Sequence, residues 1–364
     1  MGQLDLKSKA LLETASDTAL VCSSGRVDVR YLARIKAENI TLSVGKLNVE
    51  AGGLLTVAAS DRPEDTLDSI RGQGKSGNTP SGGGHACKGG YGGTVAGGDY
   101  YGSLYDSQER GSRGGSRVIG GPGGNGGGLI HLNIGVSLFI DGTLTVNGGD
   151  GRDGGAGGSA GSIRVSAAAF EGHGSLHAVG GAGSAGGSAG RISVHIGNWN
   201  HFHGRHVATG GKGETINSHG GPGSVYLRDI RYMRAHTQLL LDGGGATWDL
   251  YYTLDEPSMV NYTFDELHLT NSASLQMKSG DDVSRSLTAV KIYGDKTGRI
   301  HLHSNHIGFL EKAATLQTTM KTPANIWIDE GAKAYMATLV YILARGEIAL
   351  KVCSHPLRLL IIAY

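Results

Sequence analysis

Hydrophobic and polar residues alternate in four similar segments of the chain. The segments begin at Gly128, Gly161, Gly190 and Gly223. In each segment the second and fourth residues after the glycine are aliphatic: Ile130 and Leu132, Ile163 and Val165, Ile192 and Val194, Val225 and Leu227. A period of two is the signature of a β-strand with one buried face. The four segments therefore predict four equivalent strands.

Each segment then reaches a pair of glycines, 19 or 20 residues after its start. A second apolar pair lies four and two residues before these glycines: Leu144 and Val146, Leu176 and Ala178, His206 and Ala208, Leu239 and Leu241. Each unit thus contains two or more short strands within about 20 residues, followed by a glycine-rich excursion of 9–13 residues. Repetition at this length is typical of stacked supersecondary units.

Two sets of glycines occupy fixed places in the repeat. Gly142, Gly174 and Gly204 lie six residues before the glycine pairs, between the two predicted strands. The pairs themselves begin at Gly148, Gly180 and Gly210. Glycine at a fixed place beside a strand indicates a turn that needs a positive φ or a close backbone approach. We therefore predict that all six are structural turn glycines.

The repeat predicts an all-β fold, a parallel β-solenoid (β-helix) of about 20-residue coils with glycine-rich excursions between coils. A β-sandwich would also show alternation, but not these fixed offsets. The expected organisation has four parts: residues 1–60, an N-terminal region with the first coils; 61–127, a long glycine-rich loop packed on the solenoid; 128–245, the regular repeats; and 246–364, degenerate C-terminal coils. The stretch from Leu4 to Ala19 could form a short helix over the first coil, whereas the apolar C-terminal residues Leu359–Ile362 have no cap behind them.

Composition and charge exclude several classes of protein. Glycine accounts for 63 of the 364 residues, yet it does not fall at every third position and proline totals 7, which excludes a collagen. A net charge of +1 argues against a nucleic-acid partner. No apolar run reaches the roughly 18–20 residues of a membrane span. The three cysteines, Cys22, Cys87 and Cys353, are too scattered for a disulfide framework, and both one bridge and three free thiols remain open.

An ordered series of glycine-rich motifs extends over residues 40–305. It comprises Gly82–Gly93, Tyr101–Leu104, Gly111–Gly115, Asp141–Gly149 and Gly157–Ile163. The series resembles the large glycine-rich surface proteins of animals and protists. This resemblance implies a secreted or cell-surface solenoid. The chain is shorter than those proteins and has no recognisable signal peptide, so we expect a fragment or a subunit. If it is secreted, the sequons at Asn39 and Asn261 are candidate glycosylation sites.

Two sets of residues are candidates for metal binding. His173, His203 and His236 each lie seven residues before a glycine pair, and by parity they point outward as one column. Imidazoles are common metal ligands, although a solvated column of polar rings is the simpler interpretation. Asp150 and Asp153 match part of the calcium-binding nonapeptide, but the apolar residue that this motif requires is replaced by Gly155. No cofactor is expected.

The sequence favours a non-enzymatic structural protein: an extracellular or cell-surface spacer, matrix or filament-forming element that self-associates. A carbohydrate-binding or adhesive surface module is the alternative, with aromatic residues as stacking platforms: Tyr91, Tyr100, Tyr101, Tyr105, Trp199, Tyr251 and Tyr252. Packing of the long loop is another role for the tyrosines. A polysaccharide-active enzyme is less favoured, because no pair of carboxylates aligns in the regular repeats.

Overall fold

The computed structural model describes residues 2–14, 17–59, 71–231, 233–246, 250–257, 259–278, 286–295, 297–303, 306–307, 310–311, 315–318 and 325–327. These residues form an all-β protein of mostly parallel strands, with a short 3-10 turn at Ile216–Ser218. The strands are β1 Gln3–Leu6, β2 Leu11–Glu13, β3 Thr18–Val29, β4 Arg34–Lys36, β5 Asn39–Val49, β6 Leu54–Thr56, β7 Leu129–Ile140, β8 Thr143–Thr145, β9 Ser162–Gly172, β10 Ser175–His177, β11 Arg191–Phe202, β12 Arg205–Val207, β13 Ser224–Arg231, β14 Arg234–Asp242, β15 Tyr251–Leu254, β16 Asn261–Thr270, β17 Ser274–Lys278, β18 Ser286–Gly294, β19 Arg299–His303, β20 His306–Ile307, β21 Leu310–Glu311, β22 Thr315–Thr318 and β23 Asn325–Trp327.

The chain divides into two compact units, Met1–His236 and Thr237–Tyr364. In the first unit, one parallel sheet has the strand order β1-β3-β5-β7-β9-β11-β13 and a second has the order β12-β10-β8-β6-β4-β2. In the second unit, β14-β16-β18-β22 and β15-β17-β19-β23 form parallel sheets, while β20 and β21 pair antiparallel. Within the described ranges, no helix is long and apolar enough to cross a membrane.

The strand registers confirm the alignment of the repeats. Ile130, Ile163, Ile192 and Val225 are paired in one row across β7, β9, β11 and β13. Each of these side chains is at most 4% exposed. The second strands align in the same way, because Leu176 of β10 pairs with Leu144 of β8 and with His206 of β12. Aligned apolar residues are therefore buried in rows along both sheets.

Two expectations about the strands are wrong. Leu239 and Leu241 of the fourth segment lie on β14 and pair with β16, not in the sheet that contains Leu144 and Leu176. The stretch from Leu4 to Ala19 is not a helix: it contains β1, β2 and the start of β3. The reason is the spacing of Leu4 and Leu6, which pair with Val27 and Val29 and continue the period-two core.

The glycine-rich segments between the strands pack against one another. We call the set 71–99, 111–128, 146–161, 178–190 and 208–223 the glycine bundle. Its segments are joined by backbone hydrogen bonds, as from Gly83 N–H to Gly157 O (3.0 Å) and from Gly90 N–H to Gly186 O (2.8 Å). Residues separated by 70 or more positions are therefore held in one hydrogen-bonded unit, although none of these contacts belongs to a β-sheet.

The hydrogen bonds of the bundle repeat every three residues. Along 156–161, successive N–H groups donate to Gly115, Ala185, Gly149, Ser112, Ser188 and Val146. The first and fourth donors reach the segment 111–128, and the second and fifth reach the segment 178–190. The third and sixth reach residues 146–149, which precede the donors in their own segment of the bundle. Three residues per turn with no hydrogen bonds inside the segment are the features of a polyproline II helix. The segment 156–161 is thus one helix packed among three others.

Close packing explains the glycine content of the bundle. A Cβ added at Gly157 would overlap the carbonyl oxygen of Gly181, and one added at Gly187 would overlap that of Gly158. The axis of collagen excludes side chains for the same reason. Because the contacts are between backbones, the bundle fills its interior with peptide groups whose polar atoms satisfy each other.

The turn glycines of the repeat are also sites of close approach. A Cβ at Gly142 would overlap Gly53 O, one at Gly174 would overlap Gly142 O, and one at Gly204 would overlap Gly174 O. These glycines therefore form a column in which each backbone lies against the preceding one. Gly148, Gly180 and Gly210 have the same kind of contact, with Gly158, Gly187 and Gly220.

Some sequence predictions fall outside the described residues. They concern residues 61–70 of the long loop, Cys353 and the apolar segment Leu359–Ile362. The side chain of Cys22 also lies outside the description.

Candidate functional site

The outer face of β7, β9 and β11 presents nine residues as a grid of three by three. Its rows follow from the registers, in which His201 pairs with Glu171 and Glu171 with Phe139. Inward residues such as Leu138 and Phe170 are buried, so their alternate neighbours point outward. We call these nine residues the outer grid: Ser137, Phe139 and Asp141; Ala169, Glu171 and His173; Trp199, His201 and His203. Asp141, His173 and His203 directly follow the ends of the three strands, and Ala169 is only 3% exposed.

Aromatic rings are concentrated on the β11 side of the outer grid. Trp199 is 40% exposed and pairs with the small residue Ala169. Its ring centroid lies 5.0 Å from that of His201. The centroids of His173 and His203 are 5.8 Å apart. The grid therefore combines one exposed indole, three imidazoles and two carboxylates within two strand spacings.

The structure brings together two of the three predicted metal ligands. His173 and His203 are neighbours, and His173 Nδ1 lies 3.7 Å from Asp141 Oδ1. His236 is on β14, where its Nδ1 lies 3.7 Å from an oxygen of Asp229. Over the part of the chain that is described, no group of three or more His, Cys, Asp or Glu residues is placed to hold a metal ion.

The acidic and amide side chains of one repeat bind the backbone of the next. Asp141 Oδ1 accepts a hydrogen bond from His173 N–H (2.8 Å), and Asp150 Oδ1 accepts one from Ala182 N–H (2.7 Å). Asn147 makes the same contact with Val179 N–H (2.9 Å). The Asp150 carboxylate thus has a structural contact at the predicted calcium turn. Asp153, the second predicted calcium ligand, is exposed with a φ of 48°.

The two sequons lie on strands. Asn39 begins β5, where its Oδ1 accepts a hydrogen bond from Leu129 N–H (3.0 Å) and its Nδ2 donates to Asp17 Oδ1 (2.8 Å). Both atoms of this amide are therefore engaged in the folded chain. Asn261 begins β16 and is exposed.

A loop that includes Tyr101 and Asp106 covers the first half of the outer face of β9 and β11. Asp106 lies 2.8 Å from Arg164, and the Tyr105 carbonyl oxygen lies 2.8 Å from His195 Nε2. Arg191 is 3% exposed and donates to Tyr101 O (2.9 Å). This part of the sheet face is therefore occupied by the chain itself.

The same packing decides which aromatic residues can act as platforms. Tyr101 and Tyr252 are 9% and 1% exposed, so the expectation that they are surface platforms is wrong. Tyr91, Tyr100, Tyr105 and Tyr251 are half-buried. The loop tyrosines pack, as Tyr105 does edge-on against Tyr226 with ring centroids 4.8 Å apart. Trp199 retains an exposed ring.

A buried polar cluster lies where this loop meets the glycine bundle. His85 Nδ1 is 2.7 Å from Ala160 O, and its ring packs against Tyr101 at 4.8 Å. Burial, with the nearby charge of Arg191, lowers the pKa of His85 to about 3. Burial raises the pKa of the Cys87 thiol to about 12. At pH 7 the imidazole is therefore neutral and the thiol is protonated. Because the thiolate is the nucleophilic form of cysteine, these side chains are suited to packing and not to nucleophilic catalysis.

The sequence contained a signal for the bundle that the repeat analysis missed. Glycines recur at intervals of three inside the excursions, as at Gly180, Gly183 and Gly186, or Gly155, Gly158 and Gly161. In the outer grid, the repeat offsets predicted that His173 and His203 are neighbours, but they did not place Trp199 and Glu171 beside these histidines. Comparison of the chain with protein-family models, curated proteins and solved structures finds no match.

Proposed function

We propose that the chain is a non-enzymatic structural protein, a spacer, matrix or filament-forming element outside the cell or at its surface, built on a parallel β-solenoid with glycine-rich excursions. The observation that carries this proposal is the glycine bundle. Its segments fill their shared interior with backbone and bind each other through peptide hydrogen bonds. This arrangement joins segments that are distant in the chain, and its closest contacts are between backbones.

The strand registers support the solenoid part of the proposal. Neighbouring long strands keep the same residues aligned from β5 to β13, so apolar side chains form continuous rows in one direction. The carboxylates of Asp141 and Asp150 bind the repeat that begins at Gly128 to the repeat that begins at Gly161. Rows of this kind are what a repeat protein uses to transmit stability along one axis.

Electron microscopy of the purified full-length chain tests the structural role. We expect rod-shaped particles or filaments whose length increases with protein concentration. The variant Ile163→Asp, which places a charge in the core, serves as the control for folded particles. A monodisperse, compact monomer at high concentration contradicts the proposal of a filament.

The outer grid favours a second candidate, a carbohydrate-binding or adhesive module. Sugar rings stack on exposed indoles, and carboxylates accept hydrogen bonds from hydroxyl groups; Trp199, Glu171 and Asp141 supply these groups on one face. Binding to a glycan array that is lost in Trp199→Ala supports this candidate. The matched control is Ile216→Ala, since Ile216 is an exposed apolar residue (61%) outside the grid. Equal binding by both variants excludes the grid as the site.

A further inference from the structure

A tight turn of the glycine bundle carries two adjacent aliphatic side chains in solvent. The turn, which we call the tip, consists of Arg117–Gly121 and is closed by a hydrogen bond from Arg117 N–H to Gly121 O (2.7 Å). Val118 is 70% exposed and Ile119 is 86% exposed. At Gly120, whose φ is +78°, an added Cβ would have no described atom within 4 Å. The tip therefore projects from the bundle.

The tip is held by the segments on both of its sides. Val118 N–H donates to Gly77 O (3.2 Å), and Gly77 N–H donates to Ser116 O (3.0 Å). Beyond the turn, Arg152 N–H donates to Pro122 O (3.0 Å). Because these bonds fix the backbone, Val118 and Ile119 stay in solvent instead of folding back onto the bundle. Two adjacent aliphatic side chains held in solvent by a fixed backbone can be buried in another apolar phase without rearrangement of the turn.

Basic side chains predominate around the tip. Besides Arg117, the adjoining segments carry Lys75 and Arg152, both exposed, and the half-buried Arg113. The backbone of residues 152–153 lies against the tip itself, since a Cβ at Gly121 would lie 2.5 Å from Asp153 O and 3.0 Å from Arg152 O. Lys75 lies against the segment that enters the tip, since a Cβ at Gly115 would overlap Lys75 O. Asp150 and Asp153 are the acidic residues within 111–128 and 146–161, and Asp99 of the segment 71–99 pairs with Lys88 (3.1 Å), so the four basic residues leave an excess of positive charge around the tip.

We propose that the tip docks the protein on an anionic lipid bilayer. Val118 and Ile119 enter the boundary between headgroups and acyl chains, while Lys75, Arg117 and Arg152 contact the anionic headgroups. Peripheral binding of this type combines burial of apolar area with attraction to negative lipids. The basic residues around the tip favour an anionic bilayer over a neutral apolar surface, because they attract negatively charged headgroups. The contact attaches the chain to a membrane surface without spanning it, and it is independent of the structural role proposed above.

Co-sedimentation of the full-length chain with vesicles tests the proposal. We expect binding to phosphatidylcholine vesicles that contain phosphatidylserine, and much weaker binding to phosphatidylcholine alone. Val118→Asp/Ile119→Asp should lower the bound fraction about tenfold, because charge replaces the inserted apolar area. The matched control is Val136→Asp, since Val136 is 53% exposed at a β7 bend away from the tip. Unchanged binding by this control assigns the effect to the tip.

Three further results separate the possible outcomes. Raising the salt concentration, or substituting Arg152→Gln, should weaken vesicle binding, whereas soluble phosphoserine should not compete with it. If Val118→Asp/Ile119→Asp has a lower melting temperature than the wild-type chain, Val118→Ser/Ile119→Ser is tested instead, and we again expect a lower bound fraction. Absence of binding to anionic vesicles, or equal binding by the wild-type chain and the tip variants, overturns the proposal. So does a tip substitution that only converts an oligomer to a monomer, because the tip would then be an interface between copies.

Discussion

At the scale of single residues, a histidine occupies a place that the repeat otherwise gives to leucine. His206 of β12 is aligned with Leu144 and Leu176. Its Nε2 is buried with no hydrogen-bond partner among the described residues. Burial lowers the pKa of His206 to about 4. Burial of the neutral imidazole therefore has a desolvation cost that no hydrogen bond from Nε2 offsets.

We expect His206→Leu to stabilise the protein, and to do so most strongly in acid. Because the pKa of His206 is lower in the folded chain than in the unfolded chain, the unfolded chain binds the proton first as the pH falls. The folded protein therefore has its full stability above about pH 6.5 and loses stability as the pH falls towards the folded pKa. The loss is about 1.4 kcal/mol per pH unit for each such histidine. Thermal melts at pH 7.5 and pH 5 measure the effect. His203→Ala, on the exposed grid, is the control; a variant no more stable than wild type at pH 5 contradicts the argument.

The space available for a Cβ atom differs between glycines of the bundle, and this difference gives a second prediction. Gly187→Ala would place a Cβ on the carbonyl oxygen of Gly158, whereas a Cβ at Gly77 would meet no described atom within 4 Å. We expect Gly187→Ala to cost about 3 kcal/mol or more by overpacking. Gly77→Ala should be nearly neutral. Urea unfolding of both variants tests this difference, and equal midpoints would show that the bundle is loosely packed.

At the scale of elements, the long strands share one inward row of aliphatic residues. Ile163 of β9 lies between Ile130 and Ile192 and is fully buried. On the opposite face the same strands carry the outer grid. The period of two therefore separates the core of the protein from its candidate binding surface within a single strand.

Substitution of Ile163 tests the strand assignment. Ile163→Asp should prevent folding or lower the melting temperature severely, because the core has no partner for the charge. Ile163→Val should cost about 0.5–1.5 kcal/mol. Circular dichroism melts measure both variants. If the aspartate variant melts like the wild-type chain, residue 163 does not face the core.

At the scale of the whole molecule, backbone hydrogen bonds extend well beyond the strands. The bundle joins the long insertion between β6 and β7 to the segments that follow β8, β10 and β12. Gly83 of the insertion donates to Gly157, and Gly221 donates to Lys88 O (3.0 Å). These segments have the composition of a flexible linker, but backbone hydrogen bonds between them hold each segment in place.

Hydrogen exchange distinguishes this order from a flexible linker. Peptides covering 156–161 and 186–190 should exchange as slowly as the strands β7 and β9, because their N–H groups are buried and bonded. Mass spectrometry of the deuterated chain measures the rates. Gly187→Ala should accelerate exchange in both peptides before it affects β7. Immediate exchange of these segments in the wild-type chain would show that the bundle is not formed.

Local pattern in the sequence was sufficient to predict the long strands of the repeats, β7, β9, β11 and β13. Alternation at Ile130, Ile163 and Ile192 reports which side of a strand is buried, and a constant offset between repeats reports which residues pair in a parallel sheet. The all-β, mostly parallel fold was predictable for this reason. The error at Leu4–Ala19 arose because the period of two at Leu4 and Leu6 is too short to distinguish a strand from a helix in the sequence, and the pairing with Val27 and Val29 decides it.

The sequence by itself determined where the strands of the regular repeats form and which of their residues are buried, because a period of two is a property of neighbouring residues. Tertiary structure decided what the glycine-rich segments do, since their partners lie far away in the chain, as with Gly83 and Gly157. It also assembled Trp199, Glu171 and Asp141 on one face and left Val118 and Ile119 in solvent. Contacts between segments that are distant in the chain depend on the path of the chain through its turns, and the local periodicity of the sequence does not encode this path.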